Sequence, residues 1–138
     1  MRIFLDSSFI ISLINKNDSN NENALKILNQ IRNDMCYVNN FVLNEIMTVI
    51  GMKVRLTAAL LVYEVIKENC IVLNEFNIYD FMDNTKDLYK KYNEQNIKLS
   101  FTDCSILETM NEHNIVDLAS FDKNFKKIDG INLYSTNL

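Results

Sequence analysis

Short apolar runs, most of them β-branched or aromatic, recur along the chain at Met1–Leu5, Met35–Val38, Cys70–Leu73, Ile115–Ala119 and Ile131–Tyr134. Their length predicts five strands. Between them apolar residues return at helical spacing over Ser8–Asn15, Asn21–Asn33, Asn40–Lys53, Leu56–Glu68, Ile78–Tyr92 and Thr102–Asn114, with a short helical segment near Asn124. Strands separated by helix-length segments need crossover connections, so the pattern predicts an α/β fold: a three-layer α/β/α sandwich around a mostly parallel central sheet of about five strands. In such sheets ligands gather outside the carboxyl ends of the strands, where the strand order reverses.

Gly51 and Gly130 are the only glycines and proline is absent, so asparagine takes over the turn positions, and Asn15–Asn23 reads as a polar, flexible loop. At 138 residues the chain predicts a single domain, 1–138, large enough to hold its core without disulfides or a structural metal. Fourteen basic against 18 acidic residues give a net charge of -4. That balance argues against a basic, whole-surface nucleic-acid binder and leaves room for a local basic patch. Neither glycine belongs to a phosphate-cradling loop, which excludes dinucleotide and P-loop chemistry.

His113 and the scattered Cys36, Cys70 and Cys104 match no zinc spacing, and the thiols read as reduced core residues of a cytosolic protein. His113 reads as a helix-end residue. Tyr63, Tyr79, Phe81, Tyr89 and Tyr92 read as core or dimer-face aromatics rather than base-stacking platforms. Asp6 and three serines interrupt the apolar N-terminus, no small-residue cleavage site follows, and no run approaches the roughly 20 residues that span a bilayer. The expectation is a soluble, cytoplasmic protein with no membrane partner.

Four acids stand where acids are costly. Asp6 ends the first predicted strand and is either an N-cap of the following helix or a ligand. Glu45 lies beside Val42, Ile46 and Val49 on the apolar side of its helix, so it borders the core or snorkels from its edge. Asp103 opens the stripe Asp103, Ile106, Leu107, Met110, and it also completes the capping-box pattern Ser100-Phe101-Thr102-Asp103. Asp122 follows the fourth strand and precedes the basic segment Lys123–Lys127, as a turn residue or as a site residue. Asp117, inside that strand, reads as a strand-edge or ion-pairing residue.

Asp6 and Asp122 come directly after strands, and Glu45 and Asp103 sit in the N-terminal halves of helices, so all four can converge at the carboxyl edge of the sheet. Two carboxylates 4 Å apart repel by about 4 kcal/mol at an effective dielectric near 20, a strain that a divalent cation relieves. Oxygen-only ligands select a hard ion, Mg²⁺ or in its place Mn²⁺. Such an ion suits phosphodiester hydrolysis by an activated water.

Ile3-Phe4-Leu5-Asp6-Ser7-Ser8, Asn44-Glu45-Ile46, Phe101-Thr102-Asp103-Cys104-Ser105-Ile106-Leu107 and Ser120-Phe121-Asp122-Lys123-Asn124-Phe125 resemble, in order and approximate spacing, the PIN domain family and within it the VapC-type toxin ribonucleases. The resemblance covers residues 1 to about 134. It implies a metal-dependent endoribonuclease with its acidic quartet at Asp6, Glu45, Asp103 and Asp122. Small polar helpers fall at Ser7 or Ser8 and Ser120, with Thr102 beside Asp103. It further implies an RNA substrate, a homodimer and a cognate antitoxin that inserts a peptide into the active-site groove. Serine after the first aspartate stands where threonine is common, and Ser8 where asparagine is frequent. RNA attraction would fall to a local set, Lys53, Arg55, Lys123, Lys126 and Lys127, each of which also reads as an ordinary surface charge.

Two other functions remain open on the residues alone. A catalytically idle scaffold would use the acids only as caps while binding RNA or a protein. A phosphatase with an aspartyl nucleophile would need a second aspartate two residues beyond Asp6, where Ser8 stands.

Overall fold

The computed structural model describes residues 1–135. Five strands, β1 (Arg2–Leu5), β2 (Met35–Asn39), β3 (Cys70–Leu73), β4 (Asp117–Ala119) and β5 (Asn132–Tyr134), alternate with six helices, α1 (Ser7–Ile14), α2 (Asn21–Ile31), α3 (Asn40–Lys53), α4 (Leu56–Asn69), α5 (Phe81–Glu94) and α6 (Phe101–Glu112). The sheet order is β3-β2-β1-β4-β5 and every pairing is parallel. Consecutive residues of a strand face opposite sides, and Ile3, Phe4 and Leu5 of β1 are all buried, so both faces of the central strand are covered by helices. This is the expected α/β sandwich.

The order runs outward from β1 in both directions, which places the reversal between β1 and β4. The ladder continues past the strand ends: Asp6 N–H donates to Ala119 O at 3.0 Å and Ser120 N–H to Tyr134 O at 3.1 Å. The carboxyl ends of β1 and β4 are therefore held side by side.

Several boundaries differ from the periodicity, each for a local reason. The helix expected from Ile78 starts at Phe81, because Asp80 adopts a left-handed φ of 52° and Glu75–Asn77 forms a separate 3-10 turn. The segment near Asn124 is also 3-10, over Lys123–Lys127. β4 keeps only three residues because Asn114, at φ 55°, ends α6 and Ile115 N–H closes back onto Met110 O. His113 is the C-cap of α6, and the Arg2 guanidinium donates to the carbonyls of His113 and Asn114, both at 2.9 Å. α2 begins at Asn21, where the helical spacing put it, so the stretch read as a flexible loop ends at Asn20; the Asn21 side chain donates to Ser12 O and Leu13 O.

The aromatics, read as core or dimer face, and the cysteines, read as core, divide between interior and surface, with Tyr92 packed half-buried against the core. Phe81 is buried, whereas Tyr63, Tyr79 and Tyr89 are exposed, Tyr79 by 86%. Cys104 is in the core, but Cys36 and Cys70 are half-buried against its margin, since β3 is an edge strand. Asp117 is buried without an ion pair among the described residues, and it accepts from Asn132 Nδ2 at 2.9 Å. Among the described residues no helix is long and apolar enough to cross a membrane.

Candidate active site

Asp6 is the residue at which β1 becomes α1, and it is 3% exposed. Its Oδ1 accepts from Ser7 N–H at 2.8 Å, the N-cap bond of α1, with Ser7 Oγ at a longer 3.4 Å. Its Oδ2 accepts from Ser120 Oγ at 2.6 Å and from Ser8 Oγ at 2.9 Å. Each hydroxyl has one proton to give, so both donating to Asp6 leaves the 3.2 Å between them unbridged. Their lone pairs accept in turn, Ser8 Oγ from Phe121 N–H and Ser120 Oγ from Asp122 N–H, both at 3.0 Å. Two serines thus tie the ends of β1 and β4 together around one carboxylate.

Asp122 holds its own turn: its Oδ1 accepts from the backbone and side-chain amides of Asn124, at 2.9 and 3.1 Å. Asp103 completes the capping box of α6, with Ser100 N–H donating to its Oδ2 at 2.9 Å and its own N–H donating to Ser100 Oγ at 3.0 Å. Glu45 is half-buried on the flank of α3, between the buried Val42 and Ile46, at the edge of the apolar stripe. Three of the four acids, Asp6, Asp103 and Asp122, cap a helix or turn, a role that leaves their remaining oxygen lone pairs open to a ligand.

The charges of these acids bear on one another in pairs. Burial pushes the Asp6 carboxyl above its ordinary value, the hydroxyls of Ser120 and Ser8 and the Ser7 amide oppose that, and the charge on Glu45 adds to it. Burial pushes Asp103 up to about 7, reinforced by the charges of Asp6 and then Asp122, against its hydrogen bonds to Ser100. Among the described residues the ion pairs are Met1 amino to Asp34, Lys86 to Asp87 and Lys90 to Glu94, so no lysine or arginine neutralises the four acids. Nor do any three acids, among the described residues, stand close enough to form a preformed ion cage.

The expected helpers separate. Ser8 and Ser120 bond directly to Asp6, Ser7 mainly through its amide, and Thr102 lines a cavity of ≈ 600 Å³ together with Glu45, Asn44, Phe41 and Phe76. Lys123 and Lys126 lie beside Asp122 and Ser120 around a small pocket, and Lys127 is exposed at the end of the same turn. Lys53 closes α3 eight residues after Glu45, about 12 Å along the axis, and with the exposed Arg55 lies at the other end of that helix.

Two residues that aim the site were not singled out in the sequence. Asn39, fully buried at the end of β2, caps α3 through Val42 N–H at 2.9 Å, and its Nδ2 donates to Thr109 Oγ1 at 3.1 Å and Ser105 Oγ at 3.3 Å of α6. It joins the helix bearing Glu45 to the helix bearing Asp103. Glu75, also fully buried, accepts from Phe41 N–H at 2.9 Å, Asn40 N–H at 3.2 Å and Asn40 Nδ2 at 2.8 Å at the start of α3. Asn39 could have been found as an N-cap type directly before a helix. Glu75, 34 residues from Phe41, left no local signal.

A family model, "PIN domain", matches residues 3–131. Among solved structures, the chain superposes on the sarcin-ricin loop cleaving toxin VapC20 of Mycobacterium tuberculosis with a TM-score of 0.77 and 24% identity, covering 91% of this chain and 93% of that one. VapBC2 from Rickettsia felis, bound to a DNA fragment from its promoter, gives 0.72 and 16%, covering 98% of both chains. A toxin-antitoxin complex from Klebsiella pneumoniae gives 0.69 and 18%, covering 94% and 95%. No curated protein matches the chain.

Proposed function

The chain belongs to the PIN domain family, and from that premise we propose that it is a Mg²⁺- or Mn²⁺-dependent endoribonuclease, the toxin of a toxin-antitoxin pair. One observation carries the reading: next to the point where the strand order reverses, the charge of Glu45 adds to the rise of the buried Asp6 carboxyl and the charges of Asp6 and Asp122 to that of Asp103, and no ion pair among the described residues offsets them. The donor set fits a hard divalent ion, being carboxylate oxygen alone, with no imidazole or thiolate competing for a softer metal. Asp6, Glu45, Asp103 and Asp122 would hold it. When bound, such an ion lowers the pKa of a coordinated water and offsets charge on a phosphodiester.

The chain's own residues do the rest. Ser8 and Ser120 orient the Asp6 carboxylate and oppose the burial that raises its pKa. Asn39 and Glu75 hold the start of α3, and with it Glu45, at a set position. Lys123 and Lys126, beside Asp122, supply positive charge for the RNA backbone, and Lys53 and Arg55 are a more distant extension of that track. The exposed apolar face of α4, where Leu56, Leu60 and Leu61 are each more than half exposed, supports a protein partner, an antitoxin or a second copy. The VapC20 and toxin-antitoxin neighbours support the toxin assignment.

The idle-scaffold reading rests on the caps made by Asp6, Asp103 and Asp122. Incubating the protein with structured RNA and Mg²⁺, with and without EDTA, and repeating with Asp6→Asn separates the two. Cleavage that EDTA and Asp6→Asn both abolish supports the nuclease. An intact RNA in every arm, together with no Mn²⁺-induced rise in Tm, returns the acids to capping alone.

A further inference from the structure

Away from the acids, at the amino edge of the sheet, Cys36 in β2 and Cys70 in β3 are direct partners in the parallel register. Paired residues of neighbouring parallel strands point to the same face, and adjacent strands lie about 4.8 Å apart. That spacing falls inside the range of roughly 4.4 to 6.8 Å between Cα atoms that a disulfide spans. Both thiols are half-buried, and both line an open cleft of ≈ 680 Å³ whose walls include Phe9 and Ile10 of α1, Leu28 of α2 and Val62 of α4. A small reagent can therefore reach them, whereas Cys104 is buried in the core.

We propose that Cys36 and Cys70 form a reversible thiol–disulfide site, closed by a low-molecular-weight disulfide entering this cleft. The two sulfurs are unequal partners. Cys36 Sγ donates to Asp34 O at 3.8 Å; the neighbouring Cys70 thiol holds the Cys36 pKa down against burial and the charge of Asp34, while Cys36 and burial push Cys70 up. Cys36 is thus the attacking thiolate. Its sulfur bonds to one sulfur of the external disulfide, whose other half leaves as a thiolate and takes up a proton. Cys70 then gives up its proton, attacks the Cys36 sulfur and expels the second half as a thiol. The protein loses two electrons and two protons, and one external disulfide becomes two thiols.

The chain as it stands is incubated under native conditions with excess oxidised glutathione, quenched by acid, alkylated and mapped by mass spectrometry. The expected product is an intramolecular Cys36–Cys70 bond with Cys104 alkylated, reopened by dithiothreitol. In Cys70→Ser the reaction stops at a glutathione adduct on Cys36. Three results overturn the proposal: both thiols alkylated in the native protein while the same chain oxidises in guanidinium, a persistent glutathione adduct in the unsubstituted protein, or a bond between two chains in place of the internal one.

Discussion

Replacing Asp103 by asparagine removes one negative charge from the acidic notch but keeps an oxygen that Ser100 N–H can reach. Burial and the charges of Asp6 and Asp122 carry the Asp103 carboxyl from 3.8 to about 7. Roughly 3 pKa units at about 1.4 kcal/mol each set a ceiling near 4 kcal/mol for the cost of holding this group ionised in the folded chain. Asp103 is partly exposed, so water screens part of that, and about 2 kcal/mol is the working figure. The sign follows from proton binding. The folded carboxyl holds its proton more tightly than the unfolded one, so the metal-free protein escapes this cost below about pH 3.8. It loses stability as pH rises toward 7 and carries the full cost above that.

Asparagine carries no such cost at any pH. For a chain of this length about 2 kcal/mol corresponds to a Tm shift of about 6 to 8 °C. In EDTA at pH 8, Asp103→Asn should therefore melt about 6 to 8 °C above the unsubstituted protein, with the gap narrowing steadily toward pH 4. Added Mn²⁺ should reverse the order by raising only the unsubstituted protein. A variant that melts at or below the parent at pH 8, or a gap that stays constant with pH, would refute the crowding of these charges.

Ser120→Ala takes the 2.6 Å donor from Asp6 and the acceptor from Asp122 N–H, and titration calorimetry should show Mn²⁺ affinity falling about tenfold. An unchanged affinity would place Asp6 outside the metal site. Asn39→Ala removes the α3 cap and the side chain's bonds to Ser105 and Thr109, at a cost of about 2 to 3 kcal/mol, read as a lower urea midpoint with an unchanged slope. Asp80→Gly relieves a left-handed residue whose side chain makes no capping bond, and should stabilise by about 1 kcal/mol; a loss of stability would count against strain there.

The local part of the molecule was written in the sequence. Short apolar runs and helical apolar spacing placed five strands and six helices, and Ser100 with Asp103 announced the capping box, because each of these depends on residues within a few positions of one another. The four acids were expected to meet because each follows a strand or stands in the first half of a helix, and the parallel crossovers observed carry those ends toward one edge of the sheet. The ends of elements were less legible where a single backbone angle decided them, as at Asp80 and Asn114.

What joins distant segments had no local trace. The bridge from Ser120 to Asp6 spans 114 positions, Glu75 reaches back to the start of α3, and Cys36 meets Cys70 only because β2 and β3 pair in that register. Spacing along a chain fixes which face a side chain takes within its own helix or strand. Which other face it meets is set by the order in which strands pack, a choice made by the burial of the whole core and by no short stretch of it.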